Sequence, residues 1–291
     1  MVNAPRMCTI AMEKPGMLRA VERVFLWEGT LRDRCVHPAS MVVASHEGEA
    51  MLGAWMVAGL TAQAADLSTV LHRHVDEAGR VAYSAAATDE ELEAVVTALA
   101  TAAVPADRAG KMAFWINAYN VLTVDLVADH WPLESIRDLD GGNPWDARTF
   151  TVAGKSVTLN DIEHKILRPM GDPRIHAAVN CASLGCPPLA TTAFTATGLD
   201  AELNAASRRW AQSTGVTIDR KTGVVSLSKI FDWYGDDFVA GATGDIPGVD
   251  GKRDAALQFL ARHLPTEDAS WVMTGGYSVR WAPYSWKVNA R

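Results

Sequence analysis

Residues 109–129 set the strongest limit on what this sequence can fold into. A helix drawn through them carries Phe114, Trp115, Ile116, Tyr119, Val121, Leu122, Val124 and Leu126 around nearly its whole circumference, and a helix that is apolar all round has to be buried. The protein must therefore build around one central helix. Asn117 and Asn120 are its polar exceptions. Spaced i and i+3 they share a face, and buried amides there require hydrogen-bond partners.

Around this helix the pattern mixes short elements. From Leu67 an amphipathic helix leads into a turn and strand near Gly79–Tyr83, and residues 89–103 form a second helix that Pro105 ends. The Gly-Gly-Asn-Pro run at 141–144 marks a loop. Residues 149–152 and 155–158 flank Ala153-Gly154 as a hairpin, and 216–219 with 224–227 bracket Arg-Lys-Thr-Gly as another. Asn160 or Asp161 can cap a helix that closes at Pro169. Further helices are expected at 201–212, after Ser228 as far as Gly235, and at 254–264, with a last strand at 277–281. Helices and hairpins without a βαβ rhythm predict an α+β fold. The expected architecture is one domain over residues 66–291, with a buried central helix, short helices and antiparallel hairpins.

Residues 1–65 read differently. Met51–Leu60 is a short apolar run followed by Thr-Ala-Gln-Ala-Ala-Asp, and Ala62-Gln63-Ala64 fits the small-x-small pattern of a signal-peptidase site. Residues 51–64 are therefore expected to be a secretory signal within a leader, with the mature protein starting near Ala65 or Asp66 in a secreted or periplasmic location. The run is too short to anchor stably across a bilayer. A net charge of -7, with Lys and Arg never running beyond adjacent pairs, argues against a nucleic-acid surface and leaves a small molecule or a peptide as the expected substrate. No Gly-x-Gly-x-x-Gly or P-loop pattern follows the leader, so no cofactor is expected.

Chemistry concentrates between Asp172 and Leu189, where His176, Cys181 and Cys186 fall within eleven residues. Residues 174–180 read as a short buried strand ending in the Cys181 turn. Just upstream, helical phase places Glu163 inside the apolar face formed by Leu159, Ile162, Ile166 and Leu167, so its carboxylate should be buried and in need of partners. His164 and Arg168 fall on the flank pointing away from that core. A thiol enzyme needs a cysteine near a histidine that a carboxylate or amide orients. Cys181, His176 and Glu163 can supply that set, with Cys186 an equal contender because Pro187 suits a first helical turn, which lowers a thiol pKa. Backbone N–H groups of residues 181–185, or Asn117, could stabilise an oxyanion. The bland alternative is a Cys181–Cys186 disulfide in an oxidising compartment, with Glu163 neutralised by Arg168 or Arg174 in a binding or scaffold domain. Zinc ligation by the cysteines with His164 or His176 has little support, because no second tight His/Cys pair has ligand spacing, so no metal is expected. His72 and His74 read as solvated, and the aromatic segments 231–234 and 281–286 as core and rim packing.

Four ordered blocks carry a resemblance. They are Phe-Trp-Ile-Asn-Ala-Tyr-Asn at 114–120, Leu-Asn-Asp-Ile-Glu-His-Lys-Ile-Leu-Arg at 159–168, Arg-Ile-His at 174–176 through Cys-Ala-Ser-Leu-Gly-Cys-Pro at 181–187, and Trp-Tyr-Gly-Asp-Asp-Phe at 233–238. Together they resemble domain of unknown function family 547. That resemblance implies secreted or periplasmic bacterial proteins similar in outline to papain-like or transglutaminase-like thiol enzymes. It favours Cys181, His176 and Glu163, with His164 and Cys186 as substitutes; Asn117, Asn120 and Arg168 are the supporting candidates from their places in the sequence. The family's end block carries an acid between Tyr and Trp, whereas Tyr284-Ser285-Trp286 has none here.

Overall fold

The computed structural model describes residues 67–291. The expected leader and cleavage site lie outside the described residues. Helix α1 (residues 67–74) runs into a tight turn at Gly79, where a single bridge between Val75 and Val81 stands in place of the expected strand. Gly79 has φ 72°, and a Cβ there would meet the Leu189 nitrogen at 2.4 Å, so only glycine fits. Helix α2 (Tyr83–Ala86) follows, then α3 (Glu90–Leu99), whose Asp89 cap accepts from the backbone nitrogens of Glu91 and Leu92.

Asp107 caps the long helix α4 (Arg108–Asp129), which is buried along most of its length and packs against α2 and α3. The central-helix expectation is borne out. So is the need of its two amides. Asn117 donates to the Phe194 carbonyl and accepts from the Phe194 nitrogen, and Asn120 donates to the Ala178 carbonyl and accepts from the Asn180 nitrogen. Each amide thus copies a peptide group and pins a distant segment to the core.

A short α5 (Pro144–Ala147) precedes the antiparallel hairpin β1 (Thr149–Val152) and β2 (Lys155–Thr158), which has the expected bounds. The next helix is not the expected α-helix. Asp161–Leu167 is a π-helix, with the Arg168 N–H donating to the Glu163 carbonyl five residues back. Asn160 does not cap it; Asp161 and Thr158 instead exchange bonds, each accepting from the other's backbone nitrogen.

The expected strand at 174–180 is also corrected. Ile175–Ala178 forms a single helical turn, α6, in which all four residues are buried. A short apolar run fits a buried strand or a buried helical turn equally well in its pattern, and the Asn120 anchor at Ala178 and Asn180 holds the helical version. No helix starts at Pro187 either. Helix α7 (Leu199–Ala211) packs on α6 and α4.

Strands β3 (Val216–Asp219) and β4 (Val224–Leu227) form the second hairpin. Ser228 accepts from the Ile230 nitrogen to start α8 (Ile230–Trp233), followed by α9 (Gly235–Val239), α10 (Gly251–Ala261) and α11 (Thr266–Val272). This helical excursion lets β5 (Ser278–Trp281) return parallel to β4, giving the sheet order β3-β4-β5. Trp210 of α7 stacks on Phe231 at 4.4 Å, and Phe238 and Phe259 close that aromatic core. The described residues are α+β, as expected. No described helix is long and apolar enough to cross a membrane.

The last residues form a strap. Val288 bridges Ser183 and Ala290 bridges Val81, while the Asn289 amide donates to the Gly79 and Asn180 oxygens and accepts from the Tyr83 hydroxyl. The strap ties the start of the described residues to residues 180–186.

Candidate active site

A cleft of about 210 Å³ opens where α4, the π-helix, α6, the 181–186 loop, α8 and the strap converge. His176, Glu163, Cys181 and Cys186 all line it. The expected segments do meet, but the structure joins them differently.

His176 is 2% exposed, and its Nε2 donates to Asp237 Oδ2 at 2.7 Å. Glu163 Oε1 stands 4.0 Å from Nδ1, beyond a hydrogen bond. The carboxylate that orients the imidazole is therefore Asp237. Arg168, expected to point away from the core, turns to Asp237 and grips it with two bonds, at 2.7 and 2.9 Å. Its third nitrogen donates to His164 Nδ1 at 2.8 Å, and its guanidinium lies 5.2 Å from the Tyr234 ring centre. Burial works to raise the Asp237 pKa, but the His176 and Arg168 hydrogen bonds win and hold it well below the ordinary carboxylate range.

With Nε2 committed, His176 presents Nδ1 towards Glu163. Glu163 is buried, as expected, and it meets two phenols rather than an arginine: the hydroxyls of Tyr119 and Tyr234 both interact with its carboxylate. Burial first, and then the Glu163 charge, push both phenols upward, so they remain protonated donors. The Tyr234 ring also stacks on His176 at 4.5 Å. Arg174, the other expected partner of Glu163, pairs instead with Asp172 and Asp200.

Cys181 and Cys186 form a disulfide that lines the cleft. Neither sulfur hydrogen-bonds His176; both lie against the Tyr284 hydroxyl, at 3.3 and 3.2 Å. Gly185 makes room for Tyr284, since a Cβ there would sit 2.7 Å from its ring. The loop is held firmly. Ala182 adopts φ 59°, a left-handed conformation costing about 1 kcal/mol for a residue with a Cβ, and Asn180 and Asn289 bond its nitrogen and carbonyl. Four of the five expected loop donors are spent: the nitrogens of Cys181, Ala182, Leu184 and Gly185 bond Cys186 Sγ, Asn180, Lys287 and Ser285. Asn117 is equally committed to Phe194. The Tyr284 hydroxyl lies beside both sulfurs, and the Ser183 hydroxyl stands 3.4 Å from Cys181 Sγ.

Trp145, Trp233 and Trp286 form the rim, with Trp233 and Trp286 stacked at 5.8 Å. The aromatic segments thus divide: Phe231 is core, whereas Trp233, Tyr234, Tyr284 and Trp286 line the cleft. His74 is not solvated but buried against Asp89, while His72 is exposed. Among the described residues no group of three His, Cys, Asp or Glu side chains is placed to hold a metal.

Residues 105–210 match the model of a family described as Protein of unknown function, DUF547. No curated protein and no solved structure matches the sequence. The matched segment contains Tyr119, Glu163, His176, Cys181 and Cys186, whereas Asp237, Trp233, Tyr284 and Trp286 come from beyond it. The cleft is completed only by residues that follow the DUF547 match. Sequence reasoning missed Asp237, although it sits in the Trp-Tyr-Gly-Asp-Asp-Phe block, because nothing local distinguishes it from Asp236; their burial does, with Asp236 exposed and Asp237 half-buried.

Proposed function

We propose that the cleft belongs to a thiol hydrolase or acyltransferase acting on an amide or thioester. The observation that carries this reading is the convergence of Cys181, Cys186, His176 and Glu163 in one cleft, with His176 held by a charge-paired carboxylate. In this reading the disulfide is the stored form, and a dithiol reductant opens it to two thiols. The Cys181 thiol gives its proton to His176, and the resulting thiolate attacks the carbonyl carbon. The tetrahedral oxyanion takes a hydrogen bond from Tyr284, and collapse expels the amine or thiol with the proton His176 returns. Water or an acceptor amine frees the acyl group. Asp237, not Glu163, fixes the ring; Glu163 with Tyr119 and Tyr234 supplies a second acid-base group facing Nδ1. Secretion or export, from the pattern at residues 51–64, accords with a cysteine pair kept oxidised until use.

The disulfide itself favours a second reading, a non-catalytic binding cleft in which the bridge pins the loop and the tryptophan rim holds the ligand. One experiment separates the two. The protein is treated with trace iodoacetamide from pH 5 to 9, with and without dithiothreitol, and labelling is read by mass spectrometry; turnover of a chromogenic thioester is followed in parallel. Rapid labelling of reduced Cys181 at pH 6, with turnover lost in Cys181→Ala, supports the enzyme. Equal labelling of both cysteines with a midpoint near the free-thiol value of about 8.5, and thioester hydrolysis by the parent no faster than in buffer alone, would favour the binding cleft.

A further inference from the structure

A second, open cleft of about 570 Å³ lies between α7 and the end of α10, and its lining is cationic. Arg174 precedes α6, Arg208 sits on α7, and Arg262 and His263 follow the last residue of α10. Asp172 and Asp200 neutralise Arg174. Arg208 and Arg262 have no carboxylate partner among the described residues; Arg262 spends one nitrogen on the Gly241 carbonyl, and Arg208 is uncommitted. The whole Arg208 fork and the rest of the Arg262 fork thus line one cleft on a protein whose net charge is -7. Such a local excess of positive charge opposes the sign of the whole molecule.

His263 is the second, independent feature. Its ring is 8% exposed, packs against Phe259 at 4.9 Å, lines the cleft, and has no hydrogen-bond partner among the described residues. Its ring nitrogens are not among the sealed, unpaired polar atoms of the interior, so the ring opens its polar edge to the cleft. Burial, and then Arg262, Arg174 and Arg208, press its pKa down to about 4, so at neutral pH the ring is uncharged and offers one N–H. Two guanidinium groups and one imidazole N–H line a cleft whose one carboxylate, Asp172, is already taken by Arg174.

We propose that this cleft binds a phosphate group, with Arg208 and Arg262 taking its oxygens and His263 donating the third bond. A phosphate dianion offers several acceptor oxygens and double charge, which matches converging forks better than the two oxygens of a carboxylate. The site is separate from the aromatic cleft, and the proposal stands whether or not that cleft is catalytic.

The test is calorimetric titration of the full-length protein with inorganic phosphate, and with phenyl phosphate, at pH 7 and fixed ionic strength. Saturable one-to-one binding is expected, weakened about tenfold in Arg208→Gln and in Arg262→Gln, since each removes a charge-assisted bond. Both side chains are exposed, so the variants should melt with the parent. Arg280→Gln, remote on β5, should bind as the parent does. Tighter binding of phenyl phosphate would make the ligand an ester, and equal or weaker binding the free ion. Equal heats with acetate or chloride, or variants that bind like the parent, would overturn the proposal.

Discussion

His176 Nε2 and Asp237 Oδ2 lie 2.7 Å apart across 61 residues of sequence, and Arg168 clasps the same carboxylate from its other side. The arrangement fixes one imidazole tautomer and leaves Nδ1 as the nitrogen facing Glu163. It also makes Asp237 a carboxylate whose pKa is lower folded than unfolded. A group of that kind stabilises the fold fully above its unfolded value and loses the contribution as pH falls through the folded one. Asp237→Asn should therefore cost about 1.5–3 kcal/mol near pH 7, from two weakened charge-assisted contacts. The gap between parent and variant should shrink as pH drops below the ordinary 3.8. Guanidinium unfolding at pH 7, 4, 3 and 2 checks this, and a gap that grows towards acid would refute the assignment. If the cleft is catalytic, the same variant should lower turnover by about a hundredfold or more, as expected when a general base loses its orienting partner.

Glu163 acts on its neighbours through charge. Tyr119 and Tyr234 are pushed up by burial and then by this carboxylate, so Glu163→Gln removes the second contribution and keeps the first. Ultraviolet titration of tyrosinate should show one phenol, Tyr234, ionising at lower pH in the variant, because Tyr119 is fully enclosed while Tyr234 is only half-buried. Superimposable curves would mean that the carboxylate does not face these hydroxyls.

How much was legible depended on how far each signal reached along the sequence. The two hairpins were read with their true bounds because turn chemistry and alternation are local. The central helix followed from its all-round apolarity, and its asparagines announced a need for partners without naming them; Phe194, Ala178 and Asn180 lie 58 to 77 residues away. The α6 turn was misread because a run as short as 174–180 satisfies either period. Glu163 was placed correctly as buried although its helix is π rather than α, since Ile162 and Leu167 are buried beside it in either winding. The identity of its neighbours, and Asp237's hold on His176, are tertiary facts that no spacing encodes.

Asn120 bonds both the last carbonyl of α6 and the nitrogen of Asn180, the residue before the cysteine loop. Asn120→Ala strands a buried donor and a buried acceptor, at about 1–3 kcal/mol each when unpaired. The expected loss is about 2–6 kcal/mol by urea unfolding. Because the anchor holds the helical turn carrying His176, amide exchange at residues 176–181 should accelerate more than at the remote β3-β4 hairpin. A uniform change in exchange would show that the asparagine stabilises the fold without fixing the site.

The disulfide closes a loop of only six residues. Loop closure of that size constrains the unfolded state by about 2 kcal/mol. The loop has other anchors: Leu184 and Gly185 bond the strap at Lys287 and Ser285, and Ser183 bridges Val288. Reduction should therefore leave a cooperative fold that melts about 4–8 °C lower. Cys181→Ala and Cys186→Ala should each reproduce the drop without adding to it when dithiothreitol is present. Scanning calorimetry with and without reductant measures all of this. Loss of cooperativity on reduction would show that the bridge, rather than the strap, holds the cleft together, and a cleft that needs its bridge to stay folded could not use Cys181 as a nucleophile.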